Sequence, residues 1–172
     1  MGITHPFVSG KSDGADATLV RPSDWNAAHV LAGEGARVYH NADQSVPNTT
    51  NTILAFNSER YDTDAIHDNV TNNSRLTCKT AGKYLIVGFI RWVSNATGIR
   101  EAIVRLGGTT PVKSIHVTAL SGDATTCLCV SIISLAVNEY LELLGYQNSG
   151  VALDVEGGSE AYKTRFSMAR IS

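Results

Sequence analysis

The sequence predicts an all-β fold, a jelly-roll β-sandwich preceded by an extended arm. Charged residues make up only 17% of the 172 residues, so Ser, Thr, Asn and Gly carry much of the polarity, a composition that favours strands and turns. From position 37 onward, short runs of β-branched and aromatic residues alternate with clusters of Gly, Asn, Asp and Ser, and no long helical period occurs. About nine strands with turn signals this regular are typical of a sandwich or jelly roll.

The N-terminal residues differ in composition from the rest and predict an arm that has no core of its own. They are rich in Gly, Ser, Asp and Ala, and helical spacing occurs in one stretch only. There, Pro22 is followed by Ser-Asp, which can cap a helix of one or two turns with Trp25 and Leu31 on one side. We therefore divide the chain into an arm, 1–35, and a jelly-roll domain, 36–172. Such an arm becomes ordered only against another surface, and the alternative is a frayed terminus.

Short apolar runs bounded by turn-favouring residues mark the predicted strands of the second part. Glycine and asparagine between these runs supply the positive φ that tight turns need. The predicted strands are Ala36–His40, Thr52–Phe56, Ser74–Cys78, Gly82–Val93, Ile99–Leu106, Lys113–Leu120, Thr125–Ser134, Glu139–Tyr146 and Thr164–Ile171.

Some of these strands carry apolar side chains on both faces. In Gly82–Val93, Tyr84 and Ile86 lie on one face while Leu85 and Val87 lie on the other, so neither face is suited to water. The last two predicted strands show the same pattern. An isolated sandwich buries one face of each sheet, and surplus apolar positions on the outer faces are what a subunit interface uses. The sequence therefore predicts an oligomer.

Charge, hydropathy and motifs exclude several classes of function. The formal net charge is -2 and no basic run could neutralise a phosphate backbone, so nucleic acid is not expected as a partner. No apolar segment approaches the ~20 residues that span a bilayer, so membrane insertion is not expected. The sequence contains no nucleophile elbow, phosphate-binding loop or zinc-protease motif, and we predict neither an enzyme nor a cofactor.

A short polar loop is the only candidate for a metal site that we retain from the sequence. Asp62, Asp64 and Asp68 place carboxylates at alternate positions, which suits calcium, but the central Gly and terminal Glu of an EF-hand loop are missing. The favoured interpretation is a solvated turn without metal. Cys127 and Cys129 share one face of a predicted strand and are expected to pack as small apolar side chains.

The arm sequence ITHPFVSGKSDGADATLVRPSDWNAAHVL resembles a segment near the N-terminus of many tailed-bacteriophage structural proteins, in which SDGADATLV and RPSDWNA recur. The resemblance implies a virion protein whose docking element runs from Pro22 to Asn26. The apolar side chains of Phe7, Trp25 and Leu31 stand out in this otherwise polar stretch, and we predict that they anchor the arm.

The remaining sequence resembles the trimeric jelly roll shared by tumour necrosis factor and the globular head of the first complement component. The resemblance rests on Phe56-Asn57 with Tyr61-Asp62, on AGKYLIVGFIRW, on VNEYLELLGYQ and on the closing RFSMARI. At the close, Met168-Ala169 departs from the Phe-Ser-Gly-Phe ending of the family.

In that family one sheet packs about a three-fold axis, so the resemblance implies a homotrimer and would explain the strands that are apolar on both faces. The residues predicted to form the trimer interface are Tyr84, Ile86, Leu144, Tyr146 and Phe166.

Together these features predict a structural protein of a phage virion, synthesised in the cytoplasm of the bacterial host and displayed on the virion surface. We favour a trimeric capsid decoration (cement) protein attached to the major capsid protein, because the sequence has no heptad, collagen or β-helical repeat with which to build a fibre shaft. The alternative is the receptor-binding tip of a short tail or head fibre. Such a tip would contact tail proteins and present loops 46–51, 94–98 and 148–158 to a host surface receptor.

Overall fold

The structure is a computed structural model that describes residues 2–3, 14–15, 29–30 and 33–172. The chain divides into two compact units, Met1–Gly33 and Glu34–Ser172. All regular structure in the described ranges is β-strand. Within them, no helix has the length and apolarity needed to cross a bilayer.

In the first unit, β1 (Gly2–Ile3) pairs antiparallel with β2 (His29–Val30). This pairing corrects the last part of the helix predicted between Ser-Asp and Leu31, because His29–Val30 is an extended strand. A helix of one or two turns is unstable without tertiary support, and β-branched residues such as Val30 favour a strand. The predicted arm anchors lie outside the described residues: Phe7, Pro22, Trp25, Asn26 and Leu31.

The second unit consists of short and medium strands joined by turns. They are β3 (Gly35–Tyr39), β4 (Gln44–Val46), β5 (Thr52–Ile53), β6 (Ser58–Asp62), β7 (Arg75–Thr77), β8 (Gly82–Trp92), β9 (Ile99–Leu106), β10 (Thr110–Thr118), β11 (Thr125–Leu135), β12 (Tyr140–Gln147), β13 (Leu153–Val155) and β14 (Arg165–Arg170).

These strands form two antiparallel sheets that pack face to face. The first sheet has the order β4-β13-β8-β14-β3-β6, and β11 also pairs with β8. The second has the order β10-β9-β12-β5, and β7 also pairs with β12. Strands that are adjacent in a sheet are often distant in sequence. For example, β8 pairs with β11 on one side and with β14 on the other. Such crossings between two sheets are typical of a jelly roll.

The predicted all-β sandwich is confirmed, and every predicted strand is present. The strand predicted at Thr52–Phe56 is shorter, since only Thr52–Ile53 forms the ladder with β12. Three strands of the second unit were not predicted, namely β4, β6 and β13. Each has only three to five residues, and β6 reads SERYD, so its strand form depends on pairing with β3 rather than on an apolar pattern.

The core lies between the two sheets and is built largely on β8. Tyr84, Ile86, Ile90 and Trp92 alternate inward along this strand and are fully buried. Gly88 takes the inward position between them, where a Cβ would lie only 2.7 Å from Leu143 Cδ1 of the opposite sheet. The absence of a side chain at Gly88 therefore lets the two sheets approach closely. Each large apolar side chain buried here contributes roughly 1.5–3 kcal/mol.

The three cysteines are free and buried, so we expect them to be unreactive in the native protein. Burial raises the pKa of the Cys127 thiol to about 12, and burial also raises that of Cys129. Because the thiolate is the reactive form, an aromatic disulfide reagent at mildly alkaline pH should label no cysteine in native protein and all three in guanidinium chloride. Rapid labelling of any cysteine without denaturant would contradict the buried placement.

Candidate interaction surface

The outer face of the first sheet carries a contiguous set of apolar side chains on β8 and β11, which we call the apolar array. Its six members are Leu85, Val87, Phe89, Leu128, Val130 and Ile132.

Strand register arranges the apolar array as three cross-strand pairs. Ile132 lies opposite Leu85, Val130 opposite Val87, and Leu128 opposite Phe89. On β11 the alternate residues Cys127 and Cys129 point into the core, so the array residues of that strand face outward. Leu128, Val130 and Ile132 remain 49%, 45% and 61% exposed, while the three residues on β8 are half-buried. A contiguous apolar surface of this kind on a single chain marks a site of interaction.

Basic and aromatic side chains border the apolar array where β14 and β3 continue the same face. The guanidinium of Arg165 lies 4.2 Å from the centre of the Phe89 ring, and Arg165 is opposite Tyr39 in the sheet. Burial, and then the charge of Arg37, lower the pKa of Arg165. In the part of the chain that the structure describes, neither Arg37 nor Arg165 forms an ion pair with a carboxylate. The border of the array is therefore positively charged.

On the outer face of the second sheet, a cluster of charged groups around Glu142 is paired within the chain. Glu142 of β12 is nearly buried and accepts a 2.8 Å hydrogen bond from Arg105 Nη2. Arg75 Nε lies 3.6 Å from the same carboxylate, and the guanidinium of Arg75 stacks on the ring of Tyr140 at 4.1 Å. This charged, internally paired cluster contrasts with the apolar array of the first sheet.

The residues predicted for the trimer interface are not brought together on one surface. Tyr84, Ile86 and Phe166 are fully buried in the core of a single chain, which corrects their placement because they offer no surface to a second copy. Leu144 and Tyr146 lie on the other sheet, where Leu144 is almost completely buried and Tyr146 is half-buried. The sequence could not choose between the two apolar faces of β8, and the exposed face is the one that carries Leu85, Val87 and Phe89.

The polar loop that suggested calcium uses its carboxylates to hold its own backbone. Asp62 accepts hydrogen bonds from the backbone N–H groups of Asp64, Ile66 and His67, at 2.8–3.1 Å. Asp68 accepts from the N–H groups of Thr71 and Val70, which lowers its pKa. Asp64 Oδ2 is buried and has no hydrogen-bond partner. Within the described ranges no group of three or more His, Cys, Asp or Glu is arranged to hold a metal ion.

Comparison with known proteins identifies the fold. No family model matches the sequence, and no curated protein matches it. Among solved structures, the crystal structure of murine APRIL at pH 5.0 superposes with a TM-score of 0.62 at 9% identity, covering 81% of this chain and 99% of that one.

Two further structures are similar over almost the same extent. Eiger TNF from S. frugiperda gives a TM-score of 0.57 at 10% identity, covering 81% of this chain and 93% of that one. The globular domain of the zebrafish complement 1qA protein gives 0.53 at 12% identity, covering 79% and 93%. At such low identity these likenesses concern the fold alone. The resemblance read from the strand sequences is thereby confirmed at the level of fold: the chain contains a jelly roll like those of tumour necrosis factor and complement 1q.

Proposed function

We propose that this protein is a homotrimeric structural protein of a phage virion surface, and specifically a capsid decoration protein bound to the major capsid protein. The observation that carries the trimer is the apolar array, which leaves one outer sheet face of the domain without a cover. The phage assignment is supported by the resemblance of the arm sequence described above.

We infer that the apolar array is covered by two further copies of the same chain rather than by solvent. Val87 and Val130 form its central pair, with an apolar pair on either side, and no charged side chain interrupts these three pairs. In jelly rolls of this type one sheet packs about a three-fold axis, as the family resemblance implies, and the apolar array makes the first sheet our choice for that role. Burying the exposed parts of Leu128, Val130 and Ile132 between copies would recover apolar surface that a monomer leaves in water.

Attachment to the virion is assigned to residues 1–33, the first compact unit. A trimer carries three copies of this unit, so three weak contacts act together through their high effective concentration. Because the capsid would bind only the folded trimer and not the unfolded chain, binding would also stabilise the trimer by mass action. This arrangement fits a protein that reinforces a shell by gripping it at several points.

Deleting residues 1–33 tests the attachment. This deletion keeps Glu34, whose carboxylate lies 3.4 Å from Arg170 Nη1 within the second unit. We expect the truncated protein to remain a soluble trimer by light scattering and to lose binding to virions that lack the wild-type protein. Truncated protein that binds such virions at full occupancy would contradict the role of the arm.

The location and number of copies on virions decide between the shell and the tail. Fluorescent or gold labelling of the full chain, with quantification by electron microscopy, should place many copies on the head. A few copies at the tail or on a head fibre would instead identify a receptor-binding tip, and absence from purified virions would refute the virion assignment altogether.

A further inference from the structure

A polar cleft of about 380 Å³ lies between the loop that follows β6 and the strand β7. The loop side contributes Asp68, Thr71 and Asn72 to its lining. The strand side contributes Arg75 and Thr77, and Lys79 follows directly after the strand. The cleft is separate from the apolar array, and neither the trimer nor the attachment arm explains it.

The guanidinium of Arg75 is fixed in position, yet its hydrogen-bond donors are unused. It stacks on the Tyr140 ring at 4.1 Å, and its Nε lies 3.6 Å from Glu142 Oε1, which is too long for a hydrogen bond. Glu142 already accepts hydrogen bonds from Arg105 at 2.8 Å and from Ser74 Oγ at 3.3 Å. The Nε atom of Arg75 is buried without a partner, and no N–H of this side chain donates to an acceptor in the described ranges. A planar guanidinium held in this way presents its two Nη groups, which have no protein acceptor among the described residues, in the paired geometry that binds carboxylate or phosphate oxygens.

The charges that line the cleft favour an anion. Lys79 is exposed and forms no ion pair with any residue that the structure describes. Glu142 is shared between two arginines, so it does not fully neutralise Arg75. Asp68 is the one acidic side chain in the lining, and its Oδ1 already accepts two backbone hydrogen bonds. The lining of the cleft therefore contains two cations, Arg75 and Lys79, and one carboxylate, Asp68, whose Oδ1 is already hydrogen-bonded.

We propose that this cleft binds a small ligand that carries an oxyanion, either a carboxylate or a phosphate. The oxyanion pairs with the N–H groups of Arg75, and Lys79 contributes its charge. Thr71, Asn72 and Thr77 supply hydroxyl and amide groups along the same lining, so hydroxyl groups on the ligand are recognised beside the anion. Acidic monosaccharides and sugar phosphates have this combination of groups and a size suited to the cleft.

The test titrates full-length protein with inorganic phosphate, glucuronate and N-acetylneuraminate, and follows the Nε–Hε resonance of Arg75 by NMR. We expect a saturable shift of that resonance with at least one probe, and the probe that acts distinguishes a phosphate site from a carboxylate site. The variant Arg75→Lys keeps the charge but loses the fork of donors, and should weaken binding by about tenfold or more. Because the resonance disappears in this variant, its affinity is measured by isothermal titration calorimetry, with thermal melting to verify that it folds.

Lys113→Met is the matched control, because Lys113 is an exposed cation of β10 outside the cleft. It should leave the affinity unchanged, whereas Lys79→Met should lower it. The proposal is overturned if no probe shifts the Arg75 resonance, if Arg75→Lys binds as tightly as wild type, or if Lys113→Met weakens binding equally. None of these results depends on trimerisation or on the virion, so this proposal and the proposed function fail or stand separately.

Discussion

Replacing Val130 with lysine should convert the proposed trimer into a folded monomer. Val130 lies in the central pair of the apolar array, opposite Val87, and is 45% exposed in a single chain. In the monomer a lysine there can extend its ammonium group into water, so the free energy of unfolding should change by less than about 1 kcal/mol. In a trimer the same group would be buried against two neighbouring copies.

The expected loss of trimer has two physical causes. An unpaired ammonium group removed from water costs several kcal/mol, and a trimer would bury three of them. The face also already carries Arg37 and Arg165, which form no ion pair with a carboxylate in the described residues, so another cation adds like-charge repulsion. Lysine is for that reason a stronger test than aspartate, which could pair with those arginines.

Ile53→Lys is the matched control for this substitution. Ile53 is 43% exposed, almost the same as Val130, but it lies on β5 in the second sheet. Light scattering over a range of concentrations should give the wild-type mass for Ile53→Lys and one third of that mass for Val130→Lys, with similar circular dichroism for both. A trimeric Val130→Lys protein, or a wild-type protein that is monomeric, would refute the assignment of the apolar array as the interface.

Replacing Arg100 with alanine should cost about 3 kcal/mol of unfolding free energy, a large effect for a single residue. Arg100 is an inward-facing residue of β9 and is fully buried. Its Nη1 donates to the carbonyl groups of Thr97 and Ile99, and its Nη2 to that of Asn95, each at 2.9 Å. The side chain thus holds the turn between β8 and β9 against the end of the sandwich.

The cost arises from two losses that occur together. Alanine leaves a cavity where the buried aliphatic part of Arg100 was packed. It also removes three charge-assisted hydrogen bonds to carbonyl groups, of which that of Ile99 keeps only the 3.4 Å bond from the Asn148 backbone N–H. Denaturation by urea, followed by circular dichroism, measures the difference. We also expect faster hydrogen exchange in the turn 94–98, because its carbonyl groups would no longer be fixed.

Arg60→Ala provides the comparison for Arg100. Arg60 is exposed and donates a hydrogen bond of 2.6 Å to the carbonyl of Ser159. Its removal should change stability by no more than about 0.5 kcal/mol. Equal effects of the two substitutions would mean that the buried hydrogen bonds of Arg100 do not contribute as argued.

The strands could be predicted because their signals are local. Alternating apolar residues and turn clusters located β9 at Ile99–Leu106 with both ends correct, and β8 to within one residue. The shortest strands could not be predicted in this way. The ladder of β4 with β13 joins segments about a hundred positions apart, and neither segment is long enough to carry a pattern of its own.

The oxyanion cleft and the role of Arg100 had no sequence signal. Arg75 lies far from Tyr140 and Glu142 in the chain and meets them only because β7 pairs with β12. Arg100 lies on the inward face of β9 with Ala102 and Val104. From sequence alone, an arginine in a strand is predicted to face solvent. Only the turn carbonyls that surround its guanidinium explain why it is buried.

Composition and strand pattern were enough to predict a β-sandwich with more apolar positions than one core requires, together with a polar N-terminal segment of different composition. Which of the two apolar faces of β8 belongs to the core depends on how the two sheets pack. Alternation divides a strand into two sets of side chains, but both sets of β8 are apolar, so its periodicity is the same whichever set points inward. Packing against the second sheet buries Tyr84 and Ile86 and leaves Leu85 and Val87 on the outer face.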